Sequence, residues 1–253
     1  MKISDPSADD PPVEETRLAE AFPATRWTLI EKVRHGGPEA RLAREQLCSL
    51  YWYPIYAFLR RHGRSHEDAE DLTQGFFVKV LGDETFAAAL REKGKLRTFL
   101  LQALKNHMAD ASRREGALKR GGGERALSFD AMSANERYAN EPTDNRDPEV
   151  MFTRAWAGEL VAGVRRRLRD EFQGSGRGDL FETLLPFLLW EEEPPSYAVV
   201  AKKLQASQTS VRLLVFRLRG RFREELRREI SQTVDSAEEV ESEIAWLRGV
   251  FAA

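Results

Sequence analysis

Apolar residues recur along this chain every three to four positions, and no stretch sustains an alternation of two. From Arg26 to about Arg114 the pattern is helical. Trp27 and Ile30 open a first helix, which Gly36-Gly37-Pro38 closes. A longer segment from Glu39 to Arg61 carries Leu42, Leu47, Leu50, Tyr51, Trp52, Ile55, Phe58 and Leu59, and Pro54 predicts a kink or break within it. Gly63 ends that segment, and Ser65 is placed to cap the next helix, whose core face is Ala69, Leu72, Phe76 and Val80. Another helix starts near Gly94 and turns Leu100, Leu104, His107 and Ala111 inward. The pattern returns from Met151 to about Arg169 and again from Asp179 to Trp190 despite Pro186. Tyr197, Val200, Ala201 and Leu204 then make one short stripe, and Val211, Leu214, Val215, Leu218 and Phe222 a second, separated by Gln205-Ala206-Ser207. A last stripe is Val240, Ile244 and Leu247, with Val250 and Phe251. The expected fold is all-α: two helical domains joined by a flexible linker.

The boundaries follow from composition. Residues 1–24 are acidic and Pro-rich and read as a disordered leader, and 25–115 as the first helical domain. Residues 116–150 contain Gly121-Gly122-Gly123, then a polar stretch with two prolines, and read as a linker. Residues 151–230 form the second domain and 231–253 a C-terminal amphipathic extension. The glycine-rich run from Gln173 to Gly178 follows no strand, so it is not a nucleotide-binding fingerprint.

Charge adds a second layer. The net charge of −2 conceals two basic islands: +6 between Arg91 and Arg125, and +7 between Lys202 and Arg228. Basic islands on an acidic background point to two polyanion contacts, with acidic surface left for other partners; the plainer reading is a pair of solvated helix faces. No basic, apolar leader opens the chain and no apolar run is long enough to span a bilayer, so a cytoplasmic protein with no membrane partner is expected. The only cysteine, Cys48, lies among Leu47, Leu50 and Tyr51 and reads as a small buried apolar residue.

The islands carry candidate chemistry. Ser207 caps a helix whose first turn presents Gln208, Thr209, Ser210 and Arg212, side chains suited to base edges in a major groove. Arg217, Arg219, Arg221 and Arg223 follow and suit phosphates. An ordinary αα-hairpin with a solvated face is the competing reading. Gln205 occupies the turn position where glycine is common, and a non-glycine residue there adopts a left-handed backbone at a cost of roughly 1 kcal/mol. Leu213 and Phe216 fall off the core stripe and are expected to meet another surface. In the first domain, residues 65–84 hold six acids against one lysine. Asp68, Asp71 and Gln74 share a face that should dock on a basic protein and avoid DNA. On the next helix Asn106, Asp110, Arg113 and Arg114 align, a stripe able to hydrogen-bond bases and hold phosphates. Phe99 is either a platform for an unstacked base or a core residue. His107 reads as a residue at the core edge.

The run Asp68-Ala69-Glu70-Asp71-Leu72-Thr73-Gln74 with Phe76-Phe77 resembles region 2.2 of sigma-70-type factors. The segment from Phe99 through Asn106 and Asp110 to Arg113-Arg114 resembles regions 2.3 and 2.4, and Tyr197 to Arg221 resembles region 4.2. Their order, with no region 3 between them, resembles the extracytoplasmic-function (ECF) group of sigma factors. The resemblance implies that Asp68, Glu70, Asp71, Gln74 and Phe77 contact the clamp of the largest subunit of core RNA polymerase. It implies that Phe99, Asn106, Asp110, Arg113 and Arg114 handle the melted −10 element of promoter DNA. Gln208, Thr209, Ser210, Arg212, Arg217 and Arg219 would then serve the −35 element. An anti-sigma factor or another regulator is a further candidate partner. No cofactor, metal or catalytic residue is implied.

Two other classes compete. A helix-turn-helix regulator with a helical sensor domain accounts for the second basic island but not for the acidic helix ahead of the Asn106–Arg114 stripe. A helical metal-dependent hydrolase would need paired ligands. His66, Glu67 and Asp68 lack a second histidine at the right spacing, and Gly63 interrupts the His62–His66 pair.

Overall fold

The computed structural model describes residues 26–82, 95–117, 131–141, 147–188, 193–234 and 237–252. Among these the fold is all-α: α1 (Arg26–His35), α2 (Pro38–Arg61), α3 (His66–Gly82), α4 (Leu96–Ala117), α5 (Ala131–Asn140), α6 (Pro148–Gly174), α7 (Gly178–Leu184) with a 3-10 turn at Leu185–Leu188, α8 (Tyr197–Lys203), α9 (Gln208–Ser231) and α10 (Ala237–Ala252). The expected leader, residues 1–24, lies outside the described residues.

Local chemistry sets the boundaries. Gly36 and Gly37 both have positive φ, which turns the chain sharply into Pro38 at the start of α2. Three serines cap helices, those at 65 and 207 as predicted. The Ser65 hydroxyl accepts from the Asp68 N–H at 3.0 Å, Ser196 from the Val199 N–H at 3.4 Å, and Ser207 from the Ser210 N–H at 3.0 Å. Asp147 caps α6 by accepting from the Glu149 N–H at 2.9 Å. Gln205 has φ 51, the one left-handed residue other than glycine among those described, and sits at the turn between α8 and α9 where glycine was missed in the sequence.

Helix α2 is the centre of the molecule. Residues 50–59 are all buried, with Tyr51, Ile55, Tyr56, Phe58 and Leu59 fully so. Pro54 does not break the helix. Its lost backbone hydrogen bond is tolerated because side chains on every side are packed, and tertiary packing outweighs local propensity. Leu42, expected in the apolar stripe, is 60% exposed; the start of α2 is covered on one side only, where Ala40, Ala43 and Leu47 are buried.

Helix α6 packs on α2 along one side and on α9 along the other. Phe152 meets Phe58 edge to face at 6.1 Å, and Trp156 and Val164 are fully buried between them. The two halves of the chain therefore share one continuous apolar core. Pro186 ends regular helix after α7 and gives the 3-10 turn.

The 116–150 segment contains a helix that its polarity did not advertise. Helix α5 is held on α2 by polar and cation–π contacts instead of an apolar stripe. The Arg137 guanidinium lies 3.6 Å from the Tyr53 ring centroid and pairs with buried Glu159 of α6. Arg60 stacks on Tyr138 at 4.8 Å and donates to Asn135 Oδ1 at 2.6 Å, while Arg61 pairs with Glu141. No helix among the described residues is long and apolar enough to cross a membrane.

Two outcomes test this account. Gln205→Gly relieves the left-handed strain and should raise unfolding stability by up to about 1 kcal/mol, whereas Gln205→Val should lower it, both read by urea titration. Cys48 is buried and burial pushes its thiol up to about 11, so it should stay unreactive to a thiol reagent at pH 8 and react fully only in denaturant.

Candidate nucleic-acid interface

Helix α3 divides its residues between core and solvent. Ala69, Thr73, Phe76, Phe77 and Val80 are buried, and the Thr73 hydroxyl is satisfied by donating to the Ala69 carbonyl at 2.6 Å. Glu67, Asp68 and Asp71 point to solvent. A backbone N–H and the Ser65 hydroxyl hold the Glu67 carboxyl below its ordinary range, which keeps the negative charge at this helix N-terminus. Glu70 and Gln74 are half-buried and tied together, Gln74 Nε2 donating to Glu70 Oε1 at 3.1 Å. Phe77 is 4% exposed, so it acts on any partner through the packing of α3. The exposed apolar residue on this face is Val78, at 59%, one position further on. The sequence carried that signal, since Asp71, Gln74 and Val78 follow helical spacing.

Helix α4 lies against α3 through His107, whose ring meets Phe76 at 5.8 Å, in keeping with a core-edge role. Phe99 is half-buried and packs on the core. Asn106 is exposed, with Gln102 reaching its Oδ1 at 3.5 Å. Asp110 accepts an ion pair from Lys79 of α3 and another from Arg113, each at 3.3 Å. Arg113 keeps most of its side chain in solvent. Asp110 thereby orients Arg113 and joins the acidic helix to the basic one. Arg114 lies on α4; its side chain falls outside the described residues.

The α8–α9 pair closes as its stripes predict. Ala201 and Val211 are buried where the helices cross. Gln208, Thr209 and Ser210 are exposed on the first turn of α9, next to the Ser207 cap. Arg212 is exposed and stacks over Tyr197 at 5.3 Å, which fixes its direction. Leu213 and Phe216 stand out at 47% and 67% exposure. The arginines separate into two kinds. Arg217 and Arg223 are exposed. Arg219 clasps the Phe187 carbonyl with Nε and Nη2 at 3.2 and 3.1 Å. Arg221 is bound by Glu171, Glu224 and Glu225, and the first two hold its guanidinium above its ordinary pKa. Composition alone could not separate these roles, because it depends on carboxylates and carbonyls from other helices.

The sequence also gave no hint of Arg97. It is 11% exposed in its side chain, lies over the Trp156 and Trp246 rings at 4.8 and 4.1 Å, and pairs with buried Glu243 of α10. Burial pulls its pKa down to about 10, which leaves it charged at neutral pH. No group of three His, Cys, Asp or Glu side chains able to hold a metal occurs among the described residues.

Residues 52–117 match the family model of Sigma-70 region 2, a stretch running from the middle of α2 to the end of α4. The acidic helix, its partner α4 and the Lys79–Asp110–Arg113 link all fall inside the stretch that is similar to Sigma-70 region 2. No curated protein and no solved structure matches the chain.

The division among the arginines has a measurable consequence. Arg217→Ala should weaken duplex binding and reduce the slope of log K against log salt by about 1, as expected for one lost phosphate contact. Arg221→Ala should leave that slope unchanged and cost up to about 1 kcal/mol in a thermal or urea melt.

Proposed function

We propose that this chain is a sigma factor of the ECF type, which binds core RNA polymerase and directs promoter recognition and −10 melting. The observation that carries the reading is the Sigma-70 region 2 match, with outward-facing acids on α3 and an exposed Asn106 and Arg113 on α4. In this reading Asp68, Glu70, Asp71 and Gln74, with Val78 beside them, meet the basic clamp surface of the largest polymerase subunit, and Phe77 holds their helix in place. Phe99, Asn106, Asp110, Arg113 and Arg114 serve the −10 element. Residues 151–230 form the second, helix-turn-helix unit. Gln208, Thr209, Ser210 and Arg212 read the −35 element there, and Arg217 and Arg223 hold phosphates. Arg219 supports that unit through Phe187. The chain is an initiation factor and no catalyst, and it works where polymerase works, in the cytoplasm.

The physical logic is a division of cost. Extruding bases from a duplex is unfavourable by a few kcal/mol per base. A small domain offsets little of that alone, so contacts at two promoter elements and the polymerase interface must act together. Tethering the two readers in one chain raises the effective concentration of the second contact once the first is made.

In vitro transcription tests the reading. Core polymerase supplemented with this chain should initiate at specific sites on genomic fragments, and core alone should not. Asp71→Arg should lower that activity at least about tenfold without shifting the thermal melt, because Asp71 is exposed and the reversal opposes a basic partner. No promoter-dependent initiation by the wild-type chain would reject the proposal.

A further inference from the structure

Two large apolar side chains that the fold leaves in solvent stand together on α9. Leu213 is 47% exposed and Phe216 67%, although Val211, Val215, Leu218 and Phe222 of the same helix are buried. Helical spacing puts Leu213 and Phe216 on one ridge with Thr209 of the first turn and Gly220 beyond, at i, i+4, i+7 and i+11. Thr209 is exposed, and a Cβ added at Gly220 would meet nothing within 4 Å, so the ridge is open at both ends. Arg212 and Arg217, both exposed, lie roughly 70° to either side of it. Arg212 is held in direction by Tyr197, over whose ring it stacks. No acid occurs between Gln208 and Arg223, so whatever the ridge meets should be anionic at its borders.

The major groove of B-DNA has that character. It is about 12 Å wide and admits one helix, and the thymine C5 methyl is the apolar group that the base edges present there. Phosphates line its rims. Leu213 and Phe216 are about 4.5 Å apart along the helix axis, close to the roughly 3.4 Å between stacked base pairs, so the two side chains suit neighbouring positions. Cytosine in the same place would set its N4 amino donor against carbon, without a partner. An apolar protein surface would also cover Leu213 and Phe216, but it would desolvate Arg212 and Arg217 without a counter-charge.

We propose, resting on the helix-turn-helix part of the reading above, that Leu213 and Phe216 are specificity-determining residues that enter the major groove beside Thr209 and read thymine methyl groups. Polar side chains of the first turn then hydrogen-bond base edges, the flanking arginines hold the helix in the groove, and the apolar ridge selects thymine over cytosine.

Duplexes with a randomised window, selected on the full-length chain alone and on its complex with core polymerase, supply the probes. Enriched sites should contain a thymine whose replacement by deoxyuridine, which keeps every hydrogen-bonding group and lacks only the methyl, lowers affinity about fourfold, the effect of one buried methyl. Leu213→Ala or Phe216→Ala should bind the thymine duplex about fourfold more weakly and lose the difference between the two bases at its own position. Arg217→Ala should weaken both duplexes alike and keep the difference, since their phosphates are the same. Both apolar side chains are exposed, so the variants should melt as wild type does. Equal affinity of the wild-type chain for thymine and deoxyuridine at every selected position overturns the methyl contact. A difference that survives in the double variant Leu213→Ala, Phe216→Ala overturns it too, because another residue then reads the methyl. If the chain selects duplexes but brings no initiation to core polymerase, the sigma-factor reading fails and the methyl contact stands. If neither sample enriches any sequence, duplex reading by α9 fails and the methyl contact with it.

Discussion

Everything in this molecule depends on α6 having two buried sides. A surface helix needs one apolar stripe, and α6 carries enough apolar surface to serve as a wall for α2 on one side and for α9 on the other. Phe152 and Trp156 sit against the first half of the chain, and Leu168 is buried further along the same helix. Two ion pairs share this wall: Glu159 with Arg137 of α5, and Arg167 with Glu229 of α9. Buried charges persist in such positions only with partners, so these pairs fix which helix lies where while apolar contact supplies the driving force.

The candidate interfaces are arranged by separation of charge. Acids line the outward face of α3, and Arg113 of α4 and Arg217 and Arg223 of α9 reach into solvent. The link between the two signs is internal, through Lys79, Asp110 and Arg113. That link lets neighbouring helices of opposite character pack side by side, with Asp110 bridging Lys79 and Arg113. It also explains why so basic an island leaves few arginines available: several are consumed by structure, as Arg97, Arg219 and Arg221 are.

The sequence made local features legible, and long-range polar contacts stayed hidden. The serine caps at 65, 196 and 207, the α8–α9 stripes and the turn at Gln205 all come from interactions within a few residues, which spacing encodes directly. The signs of α3 and α9 were readable for the same reason. Pro54 misled because a local penalty was overridden by burial on every side. Helix α5 was missed because its anchors are Arg137, Tyr138 and Asn135, which touch Tyr53, Arg60 and Glu159 far away in the chain and leave no periodic apolar mark. The Glu243–Arg97 contact was unreadable on the same ground: an acid inside an acidic helix looks like solvated surface until its distant partner is known.

Cys48 has a last implication. It is the only thiol in the chain, it is buried in α2, and its environment disfavours the thiolate. Oxidants attack thiolates that solvent can reach, so Cys48 is a poor target for them while the helices around it stay packed.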